Sequence, residues 1–437
     1  MMPVVALLVT AATSMPAAPD SGARPLTMSE TVAMAERNAV AIIAAEGEQR
    51  TSAAGVRTAW GAFLPSVSLT AGGTKQIPNP TNRTRIENGQ VIILAPDPWS
   101  YNAGFGLSLD LFTGGQRIFD LQQAHARSSA ADANRVVQRY AAVLAAQQQF
   151  FNVLAAREAQ AVARAQLDQA EQQLRVSVLR LRARAVTRSD SLRSEIQVHN
   201  ARLALMTAAT ALEVANASLT RAVGSDTPVT AASDSTLDRP VLAVDDATLR
   251  QLALEGPAVQ QASASLGVAR AATRTAWASY LPTVSASYSR NGSGSGGQFS
   301  LSQDDLTTYS GALRLSLSLP VFTQFTREAQ LTTADVNRDN AEAALRDARL
   351  AAIESLTQSL GSFHAAAERA ATQAATVEAA LEDLREQQDK YSIGAATLLD
   401  VLSSQATLDQ ARHDLIQARY DQRVARVQLE ALVGRSL

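Results

Sequence analysis

The sequence predicts an α+β membrane protein: a trimeric, twelve-stranded β-barrel with four strands from each chain, continuous with a long α-helical coiled-coil barrel. Three observations predict this fold. The chain carries an internal two-fold repeat, each copy contains strands of alternating polarity, and each copy also contains one very long helical segment. With 437 residues, of which 46% are hydrophobic and 18% are charged, the chain is long enough to bury a core.

The repeat is visible as sequence similarity at a nearly fixed offset. Residues Ala59–Ser68 return as Ala276–Ser285 at an offset of 217, and Thr187–Leu192 matches Thr397–Leu402 at an offset of 210. The smaller second offset places seven extra residues in the first copy, between its two strands. We therefore expect residues 19–225 to form the first structural repeat and residues 226–437 the second, each with a helix, two strands, a long helix and a return helix.

The strands show a period of two. Apolar and polar residues alternate over 66–71 and 102–111 in the first copy, and over 313–321 in the second copy, which indicates one apolar and one polar face. Between the strands, Lys75–Trp99 collects prolines and Arg290–Thr308 collects glycines and serines. We predict both segments to be extracellular loops.

Four strands per chain cannot close a barrel. An open edge facing lipid would leave backbone groups without hydrogen bonds, so several chains must pool their strands. Eight strands leave an interior filled by side chains, whereas a larger barrel can hold water. The serine, glycine and asparagine residues on the polar face favour a wet interior, and therefore three chains rather than two.

The helices are predicted from periodicity, from the absence of helix breakers and from their ends. Residues 117–184 contain no proline or glycine, and a helix of this length would extend roughly 100 Å. Leucines recur every seven residues at Leu167, Leu174 and Leu181, which is coiled-coil spacing. The other predicted helices are 26–62, 189–223, 247–279, 327–391 and 398–433. The two shorter helices of each copy together contain about as many residues as the long helix. We therefore expect them to stack end to end beside it.

Composition limits how the chain can cross a membrane and which partners it can have. Beyond the N-terminus there is no run of about 18 apolar residues, so we expect any membrane crossing to use strands. Residues 1–18 are predicted to be a signal peptide, because the apolar run Val4–Ala12 precedes a small-x-small cleavage pattern. The chain has no cysteine, which excludes disulfides and thiolate metal sites. A net charge of -2 does not favour a polyanionic partner, and no nucleic-acid partner is predicted.

A set of motifs follows in a fixed order along the chain: Ala62–Ser68, Leu109–Gly115, Tyr391–Gly394, Thr397 and Asp400–Leu402. Each motif is weak alone, but in this order, twice, they make the chain resemble the TolC-like outer-membrane factors over Leu26 to Gly434. The resemblance implies a homotrimer in contact with outer-membrane lipid, with a large periplasmic helical tunnel. It also implies docking to an inner-membrane transporter through a periplasmic adaptor protein. The expected function is an exit duct for efflux or secretion.

The resemblance also implies a pore gate at the periplasmic tip, formed by Asp190, Tyr391 and Asp400. Family members constrict there by acidic rings and tyrosine-to-aspartate links, so Asp190 and Tyr391 are the expected link. A simpler role is also open for the two aspartates, since Thr187 and Thr397 stand three residues earlier, as in a helix capping box. Ala396 and Ser403 stand where the family can carry an arginine and a further acid.

Arginines are concentrated at the first tip, where the first long helix turns into its return helix. The adaptor contact candidates at the two tips are Arg182, Arg184, Arg188 and Gly394. The alternative interpretation of the arginines is a solvated charged surface. Trp60 and Trp277 precede the strands and are expected either in an aromatic belt or in core packing.

Two other classes of protein share some of these sequence features or must be weighed against them: an enzyme and a periplasmic adaptor. An enzyme is not predicted, because the sequence shows no catalytic constellation, no metal-ligand cluster and no phosphate-binding loop, and no cofactor is expected. A periplasmic coiled-coil adaptor would share the long helical hairpins but would lack four long alternating strands.

Overall fold

The computed structural model describes residues 23–77, 83–87, 89–94, 97–184, 186–232, 244–299, 301–302, 306–435 and 437. The predicted signal peptide, residues 1–18, lies outside these ranges. In chain order the elements are β1 (Arg24–Leu26), α1 (Met28–Asn38), α2 (Val40–Gly61), β2 (Ser66–Lys75), β3 (Arg83–Glu87), β4 (Gln90–Leu94), β5 (Trp99–Thr113), α3 (Gln116–Arg182), α4 (Arg188–Val223), β6 (Val229–Ala231), α5 (Asp246–Leu254), α6 (Pro257–Ala278), β7 (Thr283–Gly296), β8 (Thr308–Ser318), α7 (Thr326–Ser392) and α8 (Leu398–Val433).

The four long strands form one antiparallel sheet in the order β2-β5-β7-β8. The register aligns their apolar residues in rows, so that Val67 is opposite Leu107, Leu107 is opposite Tyr288, and Tyr288 is opposite Leu313. The other face is polar, and there the hydroxyl oxygens of Ser66 and Ser108 lie 2.7 Å apart. The sheet therefore has one apolar and one polar face, as the alternation predicts.

The predicted loops between these strands are shorter than expected. β7 continues through the glycine-serine run to Gly296, because Gly292 and Gly294 pair with β5 in register. Gly292 also makes room for an aromatic side chain, since a Cβ there would lie 2.9 Å from the ring of Tyr309. In the first copy, Lys75–Trp99 contains the β3–β4 hairpin, which turns at Gly89 with φ +81°.

The long helices match their predicted extents closely. α3 and α7 each contain 67 residues, and the return helices α4 and α8 each contain 36. Both return helices end at glycines in the left-handed conformation, Gly224 with φ 62° and Gly434 with φ 72°.

Each predicted N-terminal helix is broken in two. In place of one helix over 26–62, α1 and α2 are separated at Ala39, whose ψ of 127° is extended, and the Asn38 side chain donates to the Gly224 carbonyl. The end of α4 therefore fits against the break. In place of one helix over 247–279, α5 ends before Gly256. Pro257 then starts α6, because its missing N–H is tolerated only in a first turn.

The helices lie side by side in the same order as the strands. α2 and α4 both pack on α3, as the length balance predicts, and α6 and α8 pack between α3 and α7. The columns are therefore α2 with α4, then α3, then α6 with α8, then α7. The largest core cluster lies where the parallel pair β1–β6 meets α3 and α4, around Leu26, Phe150 and Leu219.

One described helix, α4, is long and apolar enough to cross a membrane by length and composition. The expectation that no such segment follows the N-terminus was therefore too strict. This property alone is weak evidence for a membrane span. α4 packs on α3 along its length, and several of its apolar residues, such as Leu203, Met206 and Val214, stay exposed.

Candidate functional site

The candidate site lies at the two tips, where α3 turns into α4 and α7 turns into α8. Each return helix begins with the same capping box. The Asp190 carboxylate accepts from the Thr187 backbone N–H at 3.0 Å and from its hydroxyl at 2.7 Å. The Asp400 carboxylate accepts from Thr397 in the same way, at 2.8 and 2.7 Å. The capping role predicted for both aspartates is confirmed.

The cap also sets the electrostatics of the second tip. Hydrogen bonds from the side chain and backbone of Thr397 hold the pKa of the Asp400 carboxyl below its usual value. This carboxylate stays ionised at neutral pH, with its charge at the start of α8, where the helix dipole favours it.

Tyr391, the third gate candidate, lies at the end of α7. Its hydroxyl is buried, and no hydrogen-bond partner for it exists in the described part of the chain. Its ring is covered by the guanidinium of Arg180, which lies 5.1 Å from the ring centroid. The Arg180–Tyr391 contact therefore joins the first tip to the second. The sequence indicated only a charged group of arginines, because this contact depends on how the two hairpins pack together.

The adaptor contact candidates lie on the surface of the tips. Arg182, Arg184 and Arg188 are all exposed, and none of them pairs with a carboxylate among the described residues. Gly394 is exposed in the second tip with φ +79°, and Arg184 in the first tip has φ 60°. The first tip therefore presents a concentrated positive charge that no carboxylate of the described residues pairs with.

A cavity of about 820 Å³ lies near the tips, lined by α3, α4, α7 and α8. Side-chain amides dominate its lining: Gln166, Gln169, Gln172, Gln173, Gln197, Asn200, Gln388 and Gln405. Gln169 donates to Gln405 at 2.6 Å, and Gln405 donates to Asp409 at 2.9 Å. Burial raises the pKa of the Asp409 carboxyl, and hydrogen bonds from Gln405 and Gln166 oppose that rise.

Comparison with known proteins identifies the family. The family model for outer membrane efflux proteins matches residues 31–225 and 248–435. The chain belongs to this family. It is 25% identical over 196 residues to the outer membrane protein TolC of Escherichia coli (strain K12), a match that covers 43% of this chain and 40% of TolC. The matched region thus spans about two fifths of that relative.

Solved structures share the fold over nearly the whole chain. A membrane protein from Pseudomonas aeruginosa superimposes with a TM-score of 0.77 at 20% identity, covering 97% of this chain and 99% of that protein. The open state of the Neisseria gonorrhoeae MtrE outer membrane channel gives a TM-score of 0.74 at 20% identity, covering 94% and 89%. The protein is thus a TolC-like member of the outer membrane efflux family, located in the outer membrane with a large periplasmic part.

Proposed function

We propose that the chain is one third of a homotrimeric outer-membrane channel that serves as an exit duct of a tripartite efflux pump or a type I secretion system. The observation that carries the proposal is the four-stranded sheet, whose edge strands β2 and β8 have no partner on their outer sides among the described strands. Three such sheets, joined β8 to β2, close a twelve-stranded barrel. Closure satisfies the edge backbone groups that lipid cannot.

The helical columns continue the barrel in this proposal. α4 and α2 form one edge of the chain and α7 forms the other, so in a trimer α7 of one chain packs beside α2 and α4 of the next. Twelve columns then enclose a periplasmic coiled-coil tunnel below the barrel. Residues 19–225 and 226–437 are proposed as the two structural repeats, and residues 1–18 as the signal peptide.

Aromatic side chains at both ends of the strands support the position of the barrel in the membrane. Trp60 and Trp277, just before the strands, are 57% and 58% exposed, which excludes the core-packing alternative within one chain. Trp99, Tyr101 and Phe299 cluster near the loop ends of the strands. Aromatic girdles at both ends of an apolar band are typical of outer-membrane barrels.

The charged surface of the first tip supports a partner with acidic groups. Arg182, Arg184 and Arg188 have no carboxylate partner within the described chain, and Gly394 lies exposed in the second tip. We assign these residues to contact with a periplasmic adaptor protein that links the channel to an inner-membrane transporter. The channel class is favoured over an adaptor because the chain carries the long antiparallel sheet.

The gate is proposed at the same tips. Tyr391 has a buried hydroxyl without a partner in the described part of the chain, so it can donate to Asp190 only where neighbouring hairpins converge at the tip. A hydrogen bond to a charged group contributes about 1.5–3 kcal/mol, and three copies per trimer bias the closed state. Asp400 adds a ring of negative charge.

The channel proposal is tested with the detergent-purified protein. Mass measurement should give a trimer, and insertion into planar bilayers should give discrete conductance steps. Epitope tags inserted in the loops within Lys75–Trp99 and Arg290–Thr308 should be reached by antibody on intact cells. A monodisperse monomer without conductance would contradict the barrel closure.

The gate proposal is tested by substitutions at the tips. Asp190→Asn with Tyr391→Phe should raise the single-channel conductance, and Asp400→Asn should weaken block by multivalent cations. Tyr391→Phe alone separates two contacts, because it removes the hydroxyl but keeps the ring under Arg180. If stacking rather than the hydrogen bond holds the tip closed, Tyr391→Leu will open the channel and Tyr391→Phe will not.

A further inference from the structure

The polar face of the four-stranded sheet carries very little charge. Serine, threonine, asparagine and glycine make up most of it, and its charged residues are Asp110 on β5 and Arg314 on β8. The other charged residues of these strands, Lys75 and Arg290, lie on the apolar face, in register with aromatic side chains. Within the four strands, a single arginine therefore supplies the positive charge of the polar face.

Arg314 is exposed in the middle of β8. In register it lies opposite Ser287 on β7, which is itself opposite Ser108 on β5. Its neighbours along the strand, Leu313 and Leu315, belong to the apolar face. Its guanidinium forms no hydrogen bond or ion pair with the described residues. The N–H donors of Arg314 are therefore available to a solute on the polar side of the sheet.

Asp110 lies too far from Arg314 to neutralise it by direct contact. In register Asp110 is opposite Ser285, and Ser285 is opposite Ser316, two residues nearer the helices than Arg314. Two strand spacings of about 4.8 Å and a step of two residues along the strand separate the Cα atoms of Asp110 and Arg314 by roughly 12 Å. The positive charge is therefore distinct from the negative one and lies nearer the loop end of the sheet.

The internal repeat shows that the fold does not require this arginine. At the offset of 210 that relates the two copies, the counterpart of Arg314 on β5 is Gly104. By contrast, Arg117 and its counterpart Arg327 are both present, and both donate to backbone carbonyls at the helix end of the sheet. An arginine that is exposed, unpaired among the described residues and absent from the other copy indicates a ligand rather than a structural contact.

In the proposed trimer the three copies of Arg314 lie at the same level of the barrel, because the three-fold axis relates them. Twelve strands about 4.8 Å apart, tilted by about 40°, enclose a wall roughly 24 Å across, which separates the three Cα atoms by roughly 20 Å. Each guanidinium therefore contacts a small anion by itself. The three charges still act together in the lumen, because each side chain extends inward and a narrow cavity focuses the electric field.

We propose that Arg314 of the three chains forms a ring that binds the phosphate or carboxylate groups of anionic solutes as they pass through the barrel. Arginine pairs with such groups through two parallel N–H donors. The hydroxyls of Ser287 and Ser316, beside Arg314 on the same face, supply further donors. The proposal rests on the channel function given above and adds to it a binding step for anionic cargo.

The test measures block of single channels in planar bilayers, with inorganic tripolyphosphate as the probe. The probe is added only to the chamber that faces the extracellular loops, so that it enters through the barrel. Block of the wild type should saturate with probe concentration. Arg314→Gln should raise the concentration for half block about tenfold, through loss of a charged hydrogen bond. Arg314→Lys keeps the charge but loses the paired donors, so its value should lie between those two.

Arg290→Gln is the matched control, because it removes the same charge from the opposite, apolar face of the sheet. Its half-block concentration should equal that of the wild type. Asp110→Asn should strengthen block, since it removes the negative charge nearest to the ring. Unchanged block in Arg314→Gln, or equal losses in Arg314→Gln and Arg290→Gln, would overturn the proposal. Each variant should still give discrete conductance steps without the probe, whereas a wild type without conductance would contradict the channel function itself.

Discussion

The two helical hairpins, α3–α4 and α7–α8, have nearly the same local structure and different surroundings. Their helices have equal lengths, and their return helices begin with the same Thr-x-x-Asp box. The backbone at the turn differs, because the first tip places Arg184 in a left-handed conformation where the second has Gly394. The two hairpins therefore share helix lengths and capping residues but differ in the helices that pack against them.

The packing difference is largest on the return helices. α8 contacts both α7 and α3, whereas α4 packs on α3 along its length and leaves Leu203, Met206 and Val214 exposed. Leu408 on α8 is 1% exposed, and Leu203 on α4 is 62% exposed. A leucine therefore contributes differently to the stability of the two hairpins.

The largest expected effect is Leu408→Ala. It should lower the free energy of unfolding by about 2–5 kcal/mol, because it leaves a cavity among Leu384, Val401 and Ala411. Urea denaturation followed by circular dichroism measures this. Leu203→Ala should cost less than half as much, and any loss should depend on protein concentration, because in the proposed trimer a neighbouring chain covers Leu203. Equal, concentration-independent losses would contradict the comparison.

The next effect concerns the tip backbone. Arg184→Gly should stabilise the first tip by about 1 kcal/mol, because a side chain costs energy in the left-handed region. Gly394→Ala should destabilise the second tip by a similar amount, although no atom lies within 4 Å of the added Cβ. Thermal unfolding of both variants measures these two changes in stability. Arg184→Ala is the control, since it removes the charge and keeps the strain.

The two capping boxes should contribute equally to stability. Thr187→Ala and Thr397→Ala should each cost about 1 kcal/mol, because each leaves the first turn of a return helix without its side-chain acceptor. Hydrogen exchange at the starts of α4 and α8 measures the loss at each tip separately. A much larger loss at one tip would show that its threonine has a role beyond the cap.

The smallest effect is a pH dependence within α8. Burial raises the pKa of Asp409, so its contribution to stability is present at low pH and is lost as the pH rises through the raised pKa. Asp409→Asn should therefore stabilise the protein near neutral pH by less than about 1 kcal/mol, given partial exposure, and should have little effect in acid. The pKa of Asp400 is lowered, so its contribution has the opposite sign and is lost as the pH falls. Relative to the wild type, the thermal midpoint at neutral pH should therefore rise in Asp409→Asn and fall in Asp400→Asn. Both differences should shrink as the pH falls.

The sequence by itself determined the elements that depend on a few neighbouring residues. Strand alternation, the capping boxes at Thr187 and Thr397, and the glycine ends at Gly224 and Gly434 follow from local backbone geometry, which the sequence specifies directly. The extents of the long helices follow in part for the same reason, because glycine and proline are rare within them.

Only the tertiary structure decided the features that join distant parts of the chain. Ala39 gives no local signal for a helix break, which forms where the end of α4 packs against Asn38. The glycine-serine run becomes strand because β5 supplies partners for it. Arg180 covers Tyr391 because two hairpins pack together. In each case the deciding free energy comes from residues far away in sequence, so no local pattern records it.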